Sequence, residues 1–300
     1  MAADRPFRFG VVSAQAGSGA QWAQRARQLE SMGFSTLLVP DTLGATVAPM
    51  PALMAAAAAT TTLRVGTYVL ANDLRHPVLV AREAAAVDLL SGGRFELGLG
   101  AGRPGAEADH RKLGIPWESG GVRVCRLGES LQIIRGVLGR EPVTLAGRHY
   151  QVDRADVFPV PVQRPRPPLL VAGAGDRLLE LAAREADIVA IGARPPMGDA
   201  EVGERVEHVR RAAGDRFARL ELNLNLLAAG ERPDPSLLTW GGLDLDELVR
   251  TRSPFVAVGT VDQMRDQLLV RREALGVSYL TIGDRFADAL APVVERLAGA

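Results

Sequence analysis

The chain has 300 residues, 47% apolar and 23% charged, ample for a large buried core. Its 35 basic and 35 acidic residues cancel, and no block of one sign points to nucleic acid or an anionic membrane as a partner. The single Cys125 rules out an internal disulfide and a multi-cysteine metal site; a lone thiol in an amphipathic stretch reads as packing, in a reducing, cytoplasmic compartment. The opening MAADRPFRFG has no apolar signal region, and no apolar run approaches the ~20 residues of a membrane span. Lys112 is the only lysine and alanine abounds, a skew typical of GC-rich bacterial genomes.

Short β-type runs alternate with longer helical ones. Arg8–Ser13 reads as a first strand, followed by a helix over 20–32 that stops at Gly33, a C-cap glycine. Thr36–Pro40 is the second strand, and a helix at 51–61 takes Pro51 in its first turn. Arg64–Leu70, a helix over 77–90 and Arg94–Gly100 follow. Over 122–138 apolar residues recur at 124, 127, 131, 134 and 138, the spacing of a one-sided helix. Then come Pro168–Ala172, a helix at 176–186, Asp187–Ile191, a helix at 200–213, a strand at 220–227, a helix at 260–275 and a strand at 277–282.

Eight such strand–helix units predict an α/β chain folded as a (β/α)8 TIM barrel, one domain over 1–300, in preference to a doubly wound sheet. Three long connections break the rhythm: 101–121, 139–167 and 229–257. The first and last are insertions after strands four and seven, at the barrel's C-terminal face where sites are built. Residues 106–121 read as loop, and the Pro-rich run 159–168 as an extended lead into strand five.

Gly100–Gly105, GAGRPG, fits the dinucleotide-binding string G-x-G-x-x-G, but only its preceding strand is right. No apolar-faced helix opens inside it, no acidic residue ends a following strand, and it is not the first strand–helix unit. Gly98, Gly100 and Gly102 instead alternate at period two on one face, where missing side chains admit a flat ligand or a close-packed neighbour. Val171–Asp176, VAGAGD, ends a strand and opens a helix, which suits a single phosphate cradle or a plain turn.

The run His76–Gly102, HPVLVAREAAAVDLLSGGRFELGLGAG, closely resembles the bacterial luciferase-like flavin and deazaflavin oxidoreductases. Their string is a His-Pro helix, then L-D-x-L-S-G-G-R, then a strand ending G-x-G-x-G. Leu37–Asp41, Gly66–Leu70, Ala146–Tyr150 with the proline run after it, and Gly259–Thr260 resemble further parts of the same family. The likeness extends over 7–285.

The resemblance implies a TIM barrel that binds FMN or the deazaflavin F420 at its C-terminal mouth. It implies a kinked third strand with a non-proline cis peptide at Tyr68–Val69. Carried over by position, Asp41 and Thr42 end strand two beside the reacting face; Thr42 stands where many F420 relatives have His. Thr67, Tyr68 and Val69 would touch the ring, while Gly100, Ala101 and Gly102 flank its edge. Arg103 stands where some F420-dependent dehydrogenases have a catalytic Glu, so a sugar-phosphate dehydrogenase is not expected. Asp41, Thr42 and Arg103 form the expected catalytic set. Ala172, Gly173, Ala174 and Gly175 match a cradle for ring edge or phosphate, and Asn72 with Arg75 lies near a tail phosphate. His76 reads as a helix cap, His110 as a solvated loop histidine, and Asp284 with Arg285 as a charged rim.

The implied function is an F420-dependent oxidoreductase moving hydride between the deazaflavin ring and a small organic substrate. The alternatives are an FMN-dependent monooxygenase using reduced flavin and oxygen, and a non-catalytic flavin-binding relative. A homodimer without metal is expected.

Overall fold

The structure, a computed structural model, describes residues 5–14, 16–192, 197–237 and 244–300. Eight parallel strands close into a barrel: β1 (Arg8–Val12), β2 (Thr36–Val39), β3 (Arg64–Thr67, continued by Leu70–Ala71), β4 (Phe95–Gly100), β5 (Leu169–Gly173), β6 (Ile188–Ile191), β7 (Glu221–Leu226) and β8 (Val277–Gly283). Closure comes from β8 against β1, with Arg8 opposite Tyr279 and Val12 opposite Gly283. Strand sequences are near-continuous apolar runs because both faces are covered. Along β2, Leu37 and Val39 face the helices while Leu38 points inward; along β5, Leu169 and Val171 face out and Leu170 inward. The inner core is small: Leu38, Leu170, Ile188, Ala190 and Tyr279.

The outer ring begins with α1 (Gly19–Ser31), α2 (Pro49–Ala59), α3 (Pro77–Leu90), the short α4 (Glu107–Leu113) and α5 (Gly120–Leu138). It continues with α6 (Asp176–Glu185), α7 (Asp199–Ala213), the short α8 (Leu245–Arg250), α9 (Val261–Leu275) and α10 (Ala287–Leu297). Local chemistry sets their ends. Ser18 accepts from Gln21 N, and His76 Nδ1 accepts from Val78 N with Pro77 in the first turn of α3. Thr260 and Gln263 form a capping box, and Gly276 ends α9 in the left-handed region. None of the described helices is long and apolar enough to cross a membrane.

Each of the eight expected strands has its counterpart. The connections are richer than expected. Residues 107–113 form α4 where the sequence reads as loop, because seven residues are too few to show a helical period. Val143–Ala146 pairs antiparallel with Gln151–Ala155, and Glu129 on α5 anchors the turn by accepting from the amides of Arg148, His149 and Tyr150. After β7, Ala228–Gly230 pairs with Val256–Val258; residues 238–243 of that insertion lie outside the described residues. Cys125 is exposed on α5, not packed as its amphipathic setting predicts.

At the N-terminal end an ion network closes the barrel. Arg8 holds Glu221 through two nitrogens and Glu96 at 2.6 Å, and Arg64 reaches the same Glu96 oxygen at 2.6 Å. Burial pushes Glu96 up, but the charges of Arg8 and Arg64 outweigh it and hold the carboxyl below its usual range.

Candidate functional site

The opposite, C-terminal mouth is built around a bulge in β3. Gly66 pairs with Glu96, yet the next pair is Leu70 with Leu99, so β3 spends one more residue than β4 over that interval. The Tyr68–Val69 peptide within it is cis, as the resemblance implies. Thr67 is 1% exposed, and its hydroxyl lies 2.8 Å from both N and O of Gly98.

This bulge explains the glycine row. A Cβ on Gly98 would lie 2.1 Å from the Thr67 carbonyl oxygen, and one on Gly100 would lie 2.8 Å from Val69. The glycines admit the neighbouring strand, and the strand in turn delivers Tyr68 and Val69 to the mouth. Ala101 is buried at the end of β4. Gly102 has φ +88°, and the stacked side chains of Trp117 and Arg123 lie 3.0 Å from where its Cβ would be.

The floor of the mouth is apolar. Val12, Tyr68, Val69 and Ala172, all half-buried, cap the inner core. Tyr68 donates its hydroxyl to Asn223 Oδ1 at 2.8 Å, and burial pushes the phenol up to about 12.

Asp41 and Thr42 follow β2 at the rim but have different neighbours. The Asp41 carboxylate is 3% exposed, accepts from Ala71 N at 3.1 Å and pairs with Arg75 through both oxygens. Arg75 is therefore committed to Asp41. Thr42 accepts from Arg103 Nη2 at 3.3 Å, so two expected catalytic residues do meet, at the exposed edge. Asn72 is 3% exposed, with Nδ2 3.4 Å from Asp73 Oδ1. Asp284 on the far rim accepts from Ser13 at 2.6 Å and Arg25 at 2.8 Å, and Arg285 follows it.

His110 is not a solvated loop residue. It is 1% exposed on α4, with Nδ1 3.1 Å from Ala106 O and its ring edge-on to Trp117 at 4.6 Å. Its Nε2 lies 3.6 Å from Asp73, whose carboxylate accepts from Arg126 at 2.8 Å.

Two features at the mouth suit an anion. Arg123 lies flat over Trp117 at 3.6 Å, with Nε and Nη1 buried and without a hydrogen-bond partner. Burial lowers its pKa, against the pull of Asp73 and Glu107. Across from it, Gly173, Ala174 and Gly175 turn from β5 into α6. Gly192 N donates to Gly173 O at 2.7 Å, and Arg205 donates to Ala174 O. Gly175 offers α6 no side-chain cap; Leu178 N donates to Gly175 O at 2.9 Å, which leaves the N–H groups of Asp176 and Arg177 to point out of the helix start. Sequence reading missed Arg123, Trp117 and Arg126, since no motif marks them; only the position of 101–121 after strand four hinted at a site there.

An apolar floor beneath two anion-seeking rims suits a planar ring that carries a charged substituent. Among the described residues, no three His, Cys, Asp or Glu gather as a metal site.

The fold and mouth together define a ligand-binding TIM barrel. The chain belongs to the luciferase-like monooxygenase family, whose model matches residues 6–233. The F420-dependent glucose-6-phosphate dehydrogenase of Beutenbergia cavernae is 37% identical over 169 residues, 53% of this chain and 48% of that protein. The chain spans about half the length of the curated relatives it matches. The F420-dependent tetrahydromethanopterin reductase of Methanopyrus kandleri superposes with a TM-score of 0.79 at 18% identity, covering 98% of this chain and 100% of that one. The monooxygenase RslO1 of Streptomyces bottropensis superposes with a TM-score of 0.75 at 20% identity, covering 96% and 99%. At those identities the likeness is one of fold.

Proposed function

We propose that the protein is an F420-dependent oxidoreductase that passes hydride between the deazaflavin and a small organic substrate. The observation that carries this reading is the half-buried apolar floor of Val12, Tyr68, Val69 and Ala172 at the same mouth as Arg123, whose Nε and Nη1 have no hydrogen-bond partner. The F420-dependent relative over half the chain favours deazaflavin over flavin. Bound F420 supplies the hydride chemistry; the protein's task is to bind, orient and keep water out.

In that reading the floor residues take the ring and exclude water. Thr67 locks the bulge from behind, through Gly98. Tyr68, with its phenol near 12, stays protonated and points its hydroxyl at Asn223, away from any role as a base. Arg123 and the uncapped start of α6 bind the anionic substituent, with Gly100, Ala101, Gly102 and Asn72 forming the wall between them. Thr42 and Arg103 present a hydroxyl and a guanidinium to the substrate at the open edge, and Asp41 acts by fixing Arg75 and the Ala71 amide. Arg103 stands where some F420-dependent dehydrogenases have a catalytic Glu, and Thr42 where many F420 relatives have His, so the substrate is proposed only as a small organic molecule.

Titration of the full chain with F420 and with FMN, followed by ligand fluorescence, tests the reading. Micromolar quenching of F420 is expected. Quenching of FMN alone would replace it with the flavin-dependent reading, and quenching of neither would overturn both. We also read the protein as a cytoplasmic homodimer, a state supported by Leu79, Leu89 and Leu90 on α3, which are 44% to 68% exposed. Light scattering at a monomer's mass would reverse that.

A further inference from the structure

Outside the barrel, a groove of about 540 Å³ runs between α9, the end of α8, the start of α7 and the Val256–Val258 strand. Val249, Val256, Val258 and Val270 line it. Val249 is 41% exposed and Val270 62%, unusual for β-branched apolar side chains beside one another. The volume falls in the range of small-molecule sites.

Arg271 lies in the same groove and is 7% exposed. Its Nη2 donates to Ser253 O at 3.1 Å, and its Nη1 is buried with no acceptor. An arginine buried for structural reasons is normally surrounded by acceptors, because a buried charged donor left unpaired has lost its hydration without a replacement. Here burial draws the pKa down to about 10, and the charge of Asp199, across the groove, pulls it back only in part. Arg252 adds a second positive charge, exposed at the groove's edge. Asp266, the other acid there, is already held by Arg265 at 2.8 Å.

We propose that this groove is a second binding site, for a small aliphatic carboxylate whose chain lies on the four valines and whose carboxylate pairs with Arg271. An anion there supplies the missing acceptor and neutralises a buried charge, while the exposed valines lose their contact with water. The site is separate from the mouth and does not rest on the proposed cofactor. It braces the insertion after β7 against α9, so occupancy stabilises that insertion.

The test uses the full chain and hexanoate as the probe, with hexan-1-ol and hexylammonium as controls. Thermal unfolding is read with and without about 10 mM ligand, and affinity by calorimetry. Hexanoate is expected to raise Tm and the two controls to leave it unchanged. Arg271→Met should weaken hexanoate at least tenfold, the scale of one charged hydrogen bond. Val270→Asp puts a negative charge at an exposed position of the groove and should weaken it similarly; if Arg271→Met does not fold, Val270→Asp decides alone. An unchanged wild-type Tm in hexanoate would overturn the proposal. So would equal binding of hexan-1-ol, or wild-type affinity in either folded variant.

Discussion

Thr67 Oγ1 lies 2.8 Å from both the amide nitrogen and the carbonyl oxygen of Gly98. One hydroxyl stands in for the strand–strand ladder at the point where β3 bulges away from β4. The same closeness leaves a Cβ on Gly98 only 2.1 Å from the Thr67 carbonyl oxygen. Gly98→Ala should therefore cost about 3 kcal/mol, since the obstacle is backbone and cannot rotate aside. Thr67→Val keeps the volume but strands two buried backbone groups, a loss of about 1–3 kcal/mol. Urea unfolding measures both, and wild-type midpoints would contradict the account.

Asp41 and Arg75 form the pair that ties the end of β2 to the segment after β3. The carboxylate is almost wholly covered, so Asp41→Asn leaves Arg75 facing a neutral amide. A destabilisation of about 1–3 kcal/mol is expected, lower than for a fully buried pair because Arg75 is 27% exposed. Stability and turnover should fall together; a loss of turnover at unchanged Tm would return Asp41 to a direct role in the chemistry.

Arg123 provides the test that separates its role from that of the floor. Arg123→Met should weaken F420 by about tenfold to a hundredfold, the range of one or two charge-assisted contacts. The deazaflavin chromophore without its anionic tail should bind both proteins alike. Equal losses for the two ligands would show that Arg123 shapes the floor instead of binding the anion.

Glu30 supplies a pH dependence far from the mouth. Its carboxylate accepts from the amides of Thr61, Thr62 and Leu63. Burial opposes ionisation, but these hydrogen bonds outweigh it and bring the pKa from 4.5 to about 2. A carboxyl lowered in the folded state adds stability above its unfolded pKa and loses it as pH falls through the folded one. The stability gap between wild type and Glu30→Gln should hold from neutral pH to about 4.5 and close toward about 2. A gap independent of pH over that window would refute the assignment.

The sequence by itself determined the barrel. Eight β-type runs spaced by one-sided helices leave few arrangements that bury both faces of every strand, and the His76–Gly102 string adds a family to the architecture. It also marked the mouth, because the insertion after strand four and the Gly173–Gly175 turn follow strand ends, and all strand ends of a parallel barrel share one face. What the residues at the mouth do was decided only by the tertiary structure. The row Gly98, Gly100 and Gly102 reads first as space for a ligand, with close packing the lesser alternative; a one-residue bulge in a strand some thirty positions earlier settles Gly98 and Gly100 for the neighbour, and Trp117 with Arg123 stands against Gly102. His110 reads as a polar loop histidine until α4 folds it against Trp117 and Asp73. Arg75 reads as a free cation until Asp41 covers it. Arg123 is one arginine among 34 and becomes distinctive only once it is stacked on Trp117 with its Nε and Nη1 unpaired. Periodicity is carried by near neighbours in the chain, so the sequence displays it directly. Pairing, burial and the absence of a partner depend on register between distant segments, and only the closed barrel sets that register.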